Sequence, residues 1–287
     1  MQNRASRTAE QVALFRALET ARRRDRIFND PLAIRFLTPG HRALARCARI
    51  RPIGRRLEAY IDTRWSGPRA SAVARTRLID DLVTSAAAQQ ALILGAGYDS
   101  RAYRLPALAG VPVFEADHPA TQSAKRDLLH RAVSPAGRRH VRFVAVDFLH
   151  DHVGTALHAA GFDERKRTVV VWEGVTNYLT AAAVDTTLRD LAALLAPGSR
   201  VVFTYLDRAV LTGELPEAGE WHAAVVRQGE PWTFGLDPAG LTAYLGARGL
   251  RLLSDVSTRD AAERYLAPLG RHENAAAFYR VAVAEVR

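Results

Sequence analysis

Gln89-Gln90-Ala91-Leu92-Ile93-Leu94-Gly95-Ala96-Gly97-Tyr98-Asp99-Ser100-Arg101 is the stretch whose reading decides the fold. A short apolar run stops at two glycines and a polar turn, which is how a buried parallel strand brings its backbone to a ligand. Before it the pattern is helical. Residues 7–21 carry Val12, Leu14, Phe15 and Leu18 at helical spacings, and residues 68–83 carry Val73, Leu78, Ile79 and Leu82. Between them, Asp30-Pro31 reads as the cap and first residue of another helix. The basic stretch 42–56, interrupted by Pro52 and Gly54, reads as short helices joined by a bend.

Beyond the glycines the period changes. Apolar stretches recur at 91–94, 111–114, 141–146, 169–172, 200–205, 250–256 and 277–286, with helical material at 120–132, 151–160, 182–195 and 238–248. Several stretches are continuously apolar, as strands covered on both faces are. Alternation of this kind predicts an α/β fold, a doubly wound, Rossmann-like, mostly parallel sheet of seven strands with right-handed crossovers. Residues 207–236 break the rhythm with a long insertion bearing Trp221, His222, Trp232 and Phe234 just after a strand end, where long loops cover sites.

Composition narrows the classes. The 287 residues are 48% hydrophobic and 24% charged, ordinary for a globular protein. No apolar run approaches the ~20 residues of a membrane span, and the polar first ten residues lack a signal-peptide core. With Cys47 the sole cysteine, neither a disulfide framework nor a cysteine metal cluster can form, and no metal is expected. A cytoplasmic enzyme without a membrane partner is the expectation. The net charge is +10, and all but Lys125 and Lys166 among the 40 basic residues are arginine. An acidic partner, nucleic acid included, would explain this. So would a genome rich in arginine and alanine codons, and the spread of the arginines without interleaved aromatics favours that account.

The chemistry sits at strand ends. Gly95 and Gly97, with Ala96 between, permit a tight turn and close backbone approach to a ligand. A dinucleotide fingerprint would want a third glycine where Ser100 stands. Asp117, in Phe114-Glu115-Ala116-Asp117-His118-Pro119, lies one helix later, where doubly wound folds place an acceptor for ribose hydroxyls; capping the next helix is its competing role. Asp147 and Phe148 close the third strand and offer an acceptor and an apolar face for an adenine ring. Glu173 ends the fourth strand, where burial without a partner would be costly.

These residues carry a resemblance. Leu94-Gly95-Ala96-Gly97-Tyr98-Asp99-Ser100-Arg101-Ala102-Tyr103-Arg104-Leu105, the Asp117 string and Glu173-Gly174-Val175-Thr176-Asn177-Tyr178-Leu179 resemble the leucine carboxyl methyltransferase family of class I S-adenosylmethionine-dependent O-methyltransferases. Phe28-Asn29-Asp30-Pro31-Leu32-Ala33 is similar to its bacterial branch. The resemblance implies S-adenosylmethionine as cofactor, met by Gly95, Ala96 and Gly97 along its methionine part, by Asp117 at the ribose and by Asp147 and Phe148 at the adenine. Glu173 would lie near the cofactor's amino group or the substrate mouth. It also implies an N-terminal arginine on the cofactor carboxylate, for which Arg75 is the best match and Arg16 a weaker one; guanidinium suits a carboxylate through its two-pronged donors.

One domain is expected, 1–287: a helical cap at 1–88, a cofactor-binding half at 89–206, a lid insertion at 207–237 and C-terminal strands and helix at 238–287. The expected acceptor is a carboxylate or hydroxyl of a small molecule, in bacterial secondary metabolism. A nucleic acid or a protein carboxyl terminus is the alternative. A carboxylate is ionised at pH 7 and needs no base. A phenol would gain from one, for which Tyr178, His222 and His118 are candidates, each with a structural role as the plainer reading.

Overall fold

The computed structural model describes residues 7–287 except 65, 148–150, 152 and 228. Helices α1 (Arg7–Ala21), α2 (Pro39–Cys47), α3 (Arg51–Arg64) and α4 (Pro68–Ser85) precede the sheet. Its strands are β1 (Gln90–Leu94), β2 (Val113–Asp117), β3 (Val141–Ala145), β4 (Thr168–Trp172), β5 (Arg200–Leu206), β6 (Leu250–Ser257) and β7 (Tyr279–Val286). Among them run α5 (Arg101–Arg104), α6 (Pro119–Ala132), α7 (Pro135–Arg138), α8 (Val153–Ala159), α9 (Ala181–Leu194), α10 (Ala209–Thr212), α11 (Gly219–Arg227), α12 (Leu241–Gly246) and α13 (Thr258–Tyr265).

The strands form one sheet in the order β3-β2-β1-β4-β5-β7-β6, parallel except for β7, which runs antiparallel to both neighbours. This is the doubly wound, mostly parallel sheet of seven strands expected from the alternation. Strand period explains its two cores. Leu92 and Leu94 face one way, joining Phe114, Val170 and Trp172 with Leu157 of α8, Leu188 of α9 and Leu241 of α12. Ala91 and Ile93 face the other way, against Val73 and Ile79 of α4 and Ala261 of α13. Strand order reverses at the β1–β4 pair, so a crevice opens at their C-terminal ends.

Some local expectations change. Asp30 does cap, its Oδ1 accepting from Leu32 N–H at 3.1 Å and Ala33 N–H at 3.0 Å, but the element it starts is a single 3-10 turn, Ala33–Phe36. The break in the basic stretch falls at 48–50, with Pro52 and Gly54 inside the first turn of α3. Proline fits there because first-turn N–H groups lack helical partners anyway.

Candidate active site

β1 ends at Leu94 and the chain turns on residues that L side chains rarely mimic: Gly95 has φ +60° and Gly97 φ +36°. The turn is pinned across to β2, Gly95 N–H donating to Ala116 O at 2.8 Å. The two glycines are required for different reasons. A Cβ on Gly95 would stand 2.4 Å from Val175 Cγ2, on the loop after β4. One on Gly97 would meet nothing closer than Gly95 O at 3.8 Å and Ala9 Cβ at 4.0 Å, so α1 covers this turn. Beneath it the buried Lys125 pairs with Glu115 at 2.8 Å and approaches Ala96 O at 3.4 Å.

Asp117 closes β2. Its Oδ2 accepts from Gly97 N–H at 2.5 Å and its Oδ1 from His118 N–H at 2.7 Å, while burial pushes its carboxyl up. It does not cap α6: that is done by His118, whose Nδ1 accepts from Ala120 N–H at 3.3 Å. Each Asp117 oxygen keeps a lone pair beyond these bonds. Asp147 lies at the same edge, since Val146 N–H donates to Asp117 O at 3.0 Å, and its own N–H goes to Asp151 Oδ2 at 2.8 Å. Phe148 lies outside the described residues.

Glu173 is not a lone acid facing a ligand. Its Oε1 accepts from Arg75 Nε at 2.7 Å and its Oε2 from Arg101 Nη1 at 2.6 Å. Burial alone would raise its carboxyl; Arg101 and Arg75 outweigh this and hold it well below the ordinary range. Arg75 is buried, lies over the Tyr279 ring at 4.7 Å and spends only Nε on Glu173. Among the described residues its Nη1 and Nη2 have no acceptor.

Sequence reasoning missed the lattice underneath. Arg101, buried, binds Asp80 at 2.8 Å and Asp99 at 2.6 Å besides Glu173. Arg104 grips Asp80 at 2.6 Å. Arg16 donates to Tyr98 O at 2.6 Å and pairs with Asp30 at 3.0 Å, so it ties the turn down. Ser100, in place of the third glycine, is fully buried and donates to Asp30 Oδ2 at 2.6 Å. Close alternation of Asp99, Arg101 and Arg104 was the available signal, but nothing local showed Asp30 and Asp80 as partners.

The base candidates sit differently. Tyr178 lies beyond β4 on a 3-10 turn, its phenol pushed up to about 12 by burial and by neighbouring Tyr279. His222 on α11 stacks flat on Trp232 with centroids 5.6 Å apart. Trp232 and Phe234 are buried and pack the insertion onto the sheet. Trp221 stacks on Tyr279 at 5.9 Å and borders a cavity of about 50 Å³ that Phe15 and Pro68 also line. Thr8, in the first turn of α1, hydrogen-bonds Glu230 of the insertion, so cap and insertion meet above the strand ends.

The profile of a family described as leucine carboxyl methyltransferase matches residues 9–192. A Frankia alni protein bearing the name of an S-adenosyl-L-methionine-dependent methyltransferase is 36% identical over 267 residues, 91% of this chain and 87% of that one. One from Mycolicibacterium smegmatis, similarly named, is 42% identical over 156 residues, 53% of this chain and 51% of its own length. Among crystal structures, a DUF574 family protein from Streptomyces avermitilis matches with TM-score 0.60 at 14% identity, over 95% of this chain and 97% of that one. A Thermobifida fusca protein named as a methyltransferase gives 0.59 at 17% identity, over 96% and 94%. At such identities the two structures show a shared fold.

Proposed function

Because this chain belongs to the leucine carboxyl methyltransferase family and is an S-adenosylmethionine-dependent methyltransferase, we propose that it methylates an oxygen of a small molecule, a carboxylate first of all. The observation that carries the reading is Arg75: a buried guanidinium with Nε fixed on Glu173 and two nitrogens left for an acceptor, beside the glycine turn. That donor set fits the cofactor's carboxylate. Glu173 then acts as a positioning residue, since it orients the Arg75 fork. Asp117, with lone pairs to spare on both oxygens, would hold the ribose hydroxyls, and Asp147 would lie toward the adenine. S-adenosylmethionine, when bound, supplies a methyl group already made electrophilic by its sulfonium.

The chain's own task is then alignment and exclusion of water. Holding an acceptor in line can contribute roughly 7–11 kcal/mol without a covalent intermediate. Meeting of α1 and the insertion at Thr8–Glu230 closes the strand ends, which favours a reaction between opposite charges. A carboxylate acceptor suits a site whose Tyr178 stays protonated at neutral pH.

Two measurements test this. Calorimetry should show S-adenosylmethionine binding to the purified chain; absence of binding sinks the cofactor assignment. Incubation with methyl-labelled cofactor and a panel of small carboxylic acids and phenols should give label that mild base releases as methanol, as esters do. Base-stable label would replace the carboxylate with a hydroxyl. Biosynthetic genes beside this one would support the finer reading of a secondary metabolite as acceptor.

A further inference from the structure

Residues 39–64, the α2–α3 pair, present a surface unlike the rest of the molecule. Leu44, Ile50, Ile53 and Tyr60 stand 43%, 55%, 41% and 67% exposed. Ile53 and Tyr60, seven residues apart on α3, share one helical stripe. Between these apolar residues lie the exposed Arg46, Arg49, Arg51, Arg55, Arg56 and Arg64. Among the described residues none of these six pairs with a carboxylate, whereas Arg16, Arg69, Arg75, Arg101, Arg104 and Arg271 all do. The segment's two acids are already engaged, Glu58 by Arg22 and Asp62 by Arg69. Arginine-rich coding accounts for the number of arginines in the chain but not for a face that combines unpaired arginines, bare aliphatics and no free acid.

A cavity of about 300 Å³ adjoins this face where α1 ends. Arg49 belongs to both, and the exposed Arg23 and Arg26 also line the cavity. At its other end, α3 leads into Ser66 and Pro68, which border the smaller cavity beside Trp221.

We propose that α2–α3 seats the protein on an anionic lipid bilayer, with the four apolar side chains entering the headgroup layer and the arginines meeting lipid phosphates. Interleaved cations and apolar residues are the composition of interfacial helices, and arginine stems can lie along apolar surface while their heads stay with phosphate. Each arginine near such a surface strengthens binding about fivefold. Nucleic acid fits less well: phosphodiesters gain nothing from Leu44, Ile50 and Ile53, and only Tyr60 here could stack a base. The expected lack of a membrane partner rested on the lack of a spanning segment. No helix among the described residues is long and apolar enough to cross a membrane, and peripheral seating requires none. This inference does not depend on the acceptor's identity.

The test is flotation of the full chain with phosphatidylcholine vesicles, with or without about one third phosphatidylglycerol. Cys47, exposed and the sole cysteine, sits within the face and takes an environment-sensitive fluorophore. The wild type should float with anionic vesicles only, with the Cys47 label shifted to the blue. The Arg55→Gln, Arg56→Gln pair should bind about 25-fold more weakly. The Ile53→Ser, Tyr60→Ser pair should lose about tenfold or more. Both variants should keep their melting temperature and their S-adenosylmethionine affinity. The proposal fails if the wild type does not float, if the label does not shift, or if both variants float like wild type. It fails equally if millimolar inorganic phosphate alone releases the protein. Duplex DNA binding that needs Arg55 and Arg56 but not Ile53 and Tyr60 would assign the face to nucleic acid instead.

Discussion

Gly95→Ala tests the turn at its tightest point. The new Cβ would enter a backbone with φ +60°, a left-handed conformation that costs an L residue roughly 1–2 kcal/mol. It would also stand 2.4 Å from Val175 Cγ2. Relief by moving Val175 off its rotamer or shifting its loop costs about 1–3 kcal/mol. The smaller conformational freedom of alanine in the unfolded chain offsets about 0.4–1 kcal/mol of this. The net loss is about 2–4 kcal/mol, a fall in melting temperature of about 5–10 °C for a chain of this size. Thermal and denaturant melts of Gly95→Ala, Val175→Ala and the double variant check this. In the Val175→Ala background only the left-handed cost should remain, so the cycle should show about 1–3 kcal/mol of coupling. Additivity within about 0.5 kcal/mol would refute the packing account and leave Gly95 to be explained by backbone conformation or by ligand approach.

Asp117→Asn should weaken S-adenosylmethionine binding about 10–100-fold in calorimetry with little change in the unliganded melt, because a charged acceptor is replaced by a neutral one; unchanged affinity would remove Asp117 from the ribose site. Arg101→Met leaves Asp80, Asp99 and Glu173 facing one another in a buried setting, and should cost about 3–5 kcal/mol in denaturant melts; a loss under about 1 kcal/mol, the worth of a surface pair, would discount the lattice. Glu173 and Asp99 are both held below their ordinary ranges. The unfolded chain therefore takes up their protons first as pH falls, and their stabilisation, complete near neutrality, declines below about pH 4. The stability gap between wild type and Glu173→Gln should accordingly narrow from about pH 7 to about pH 3.5, and a constant gap would contradict the ion-pair assignment. Tyr178→Phe should leave turnover of a carboxylate acceptor within about threefold of wild type, whereas loss of a general base would cost about 10²–10⁴-fold.

The sequence by itself determined what short-range pattern can encode. Apolar period, β-strand length and the Gly95-Ala96-Gly97 break are set by residues a few places apart, and they were enough for the seven strands, the switch point and Asp117 at its edge. Expectations drifted where local signals were ambiguous, as at Pro52 and Gly54, which fit a helix's first turn as well as a bend. Only the tertiary structure decided what the charges do. Ser100 meets Asp30 across 70 residues, Arg75 meets Glu173 across 98, and Thr8 reaches Glu230 across 222. An acid at a strand end reads alike whether it awaits a ligand or holds an arginine. The physical reason is that a buried carboxylate's role is set by whichever cation the packing delivers, and packing is not written in the neighbouring residues. Thus Glu173 changed from a ligand-facing acid to the anchor of Arg75, while Gly95 proved to be glycine on account of Val175, a residue 80 places further along the chain.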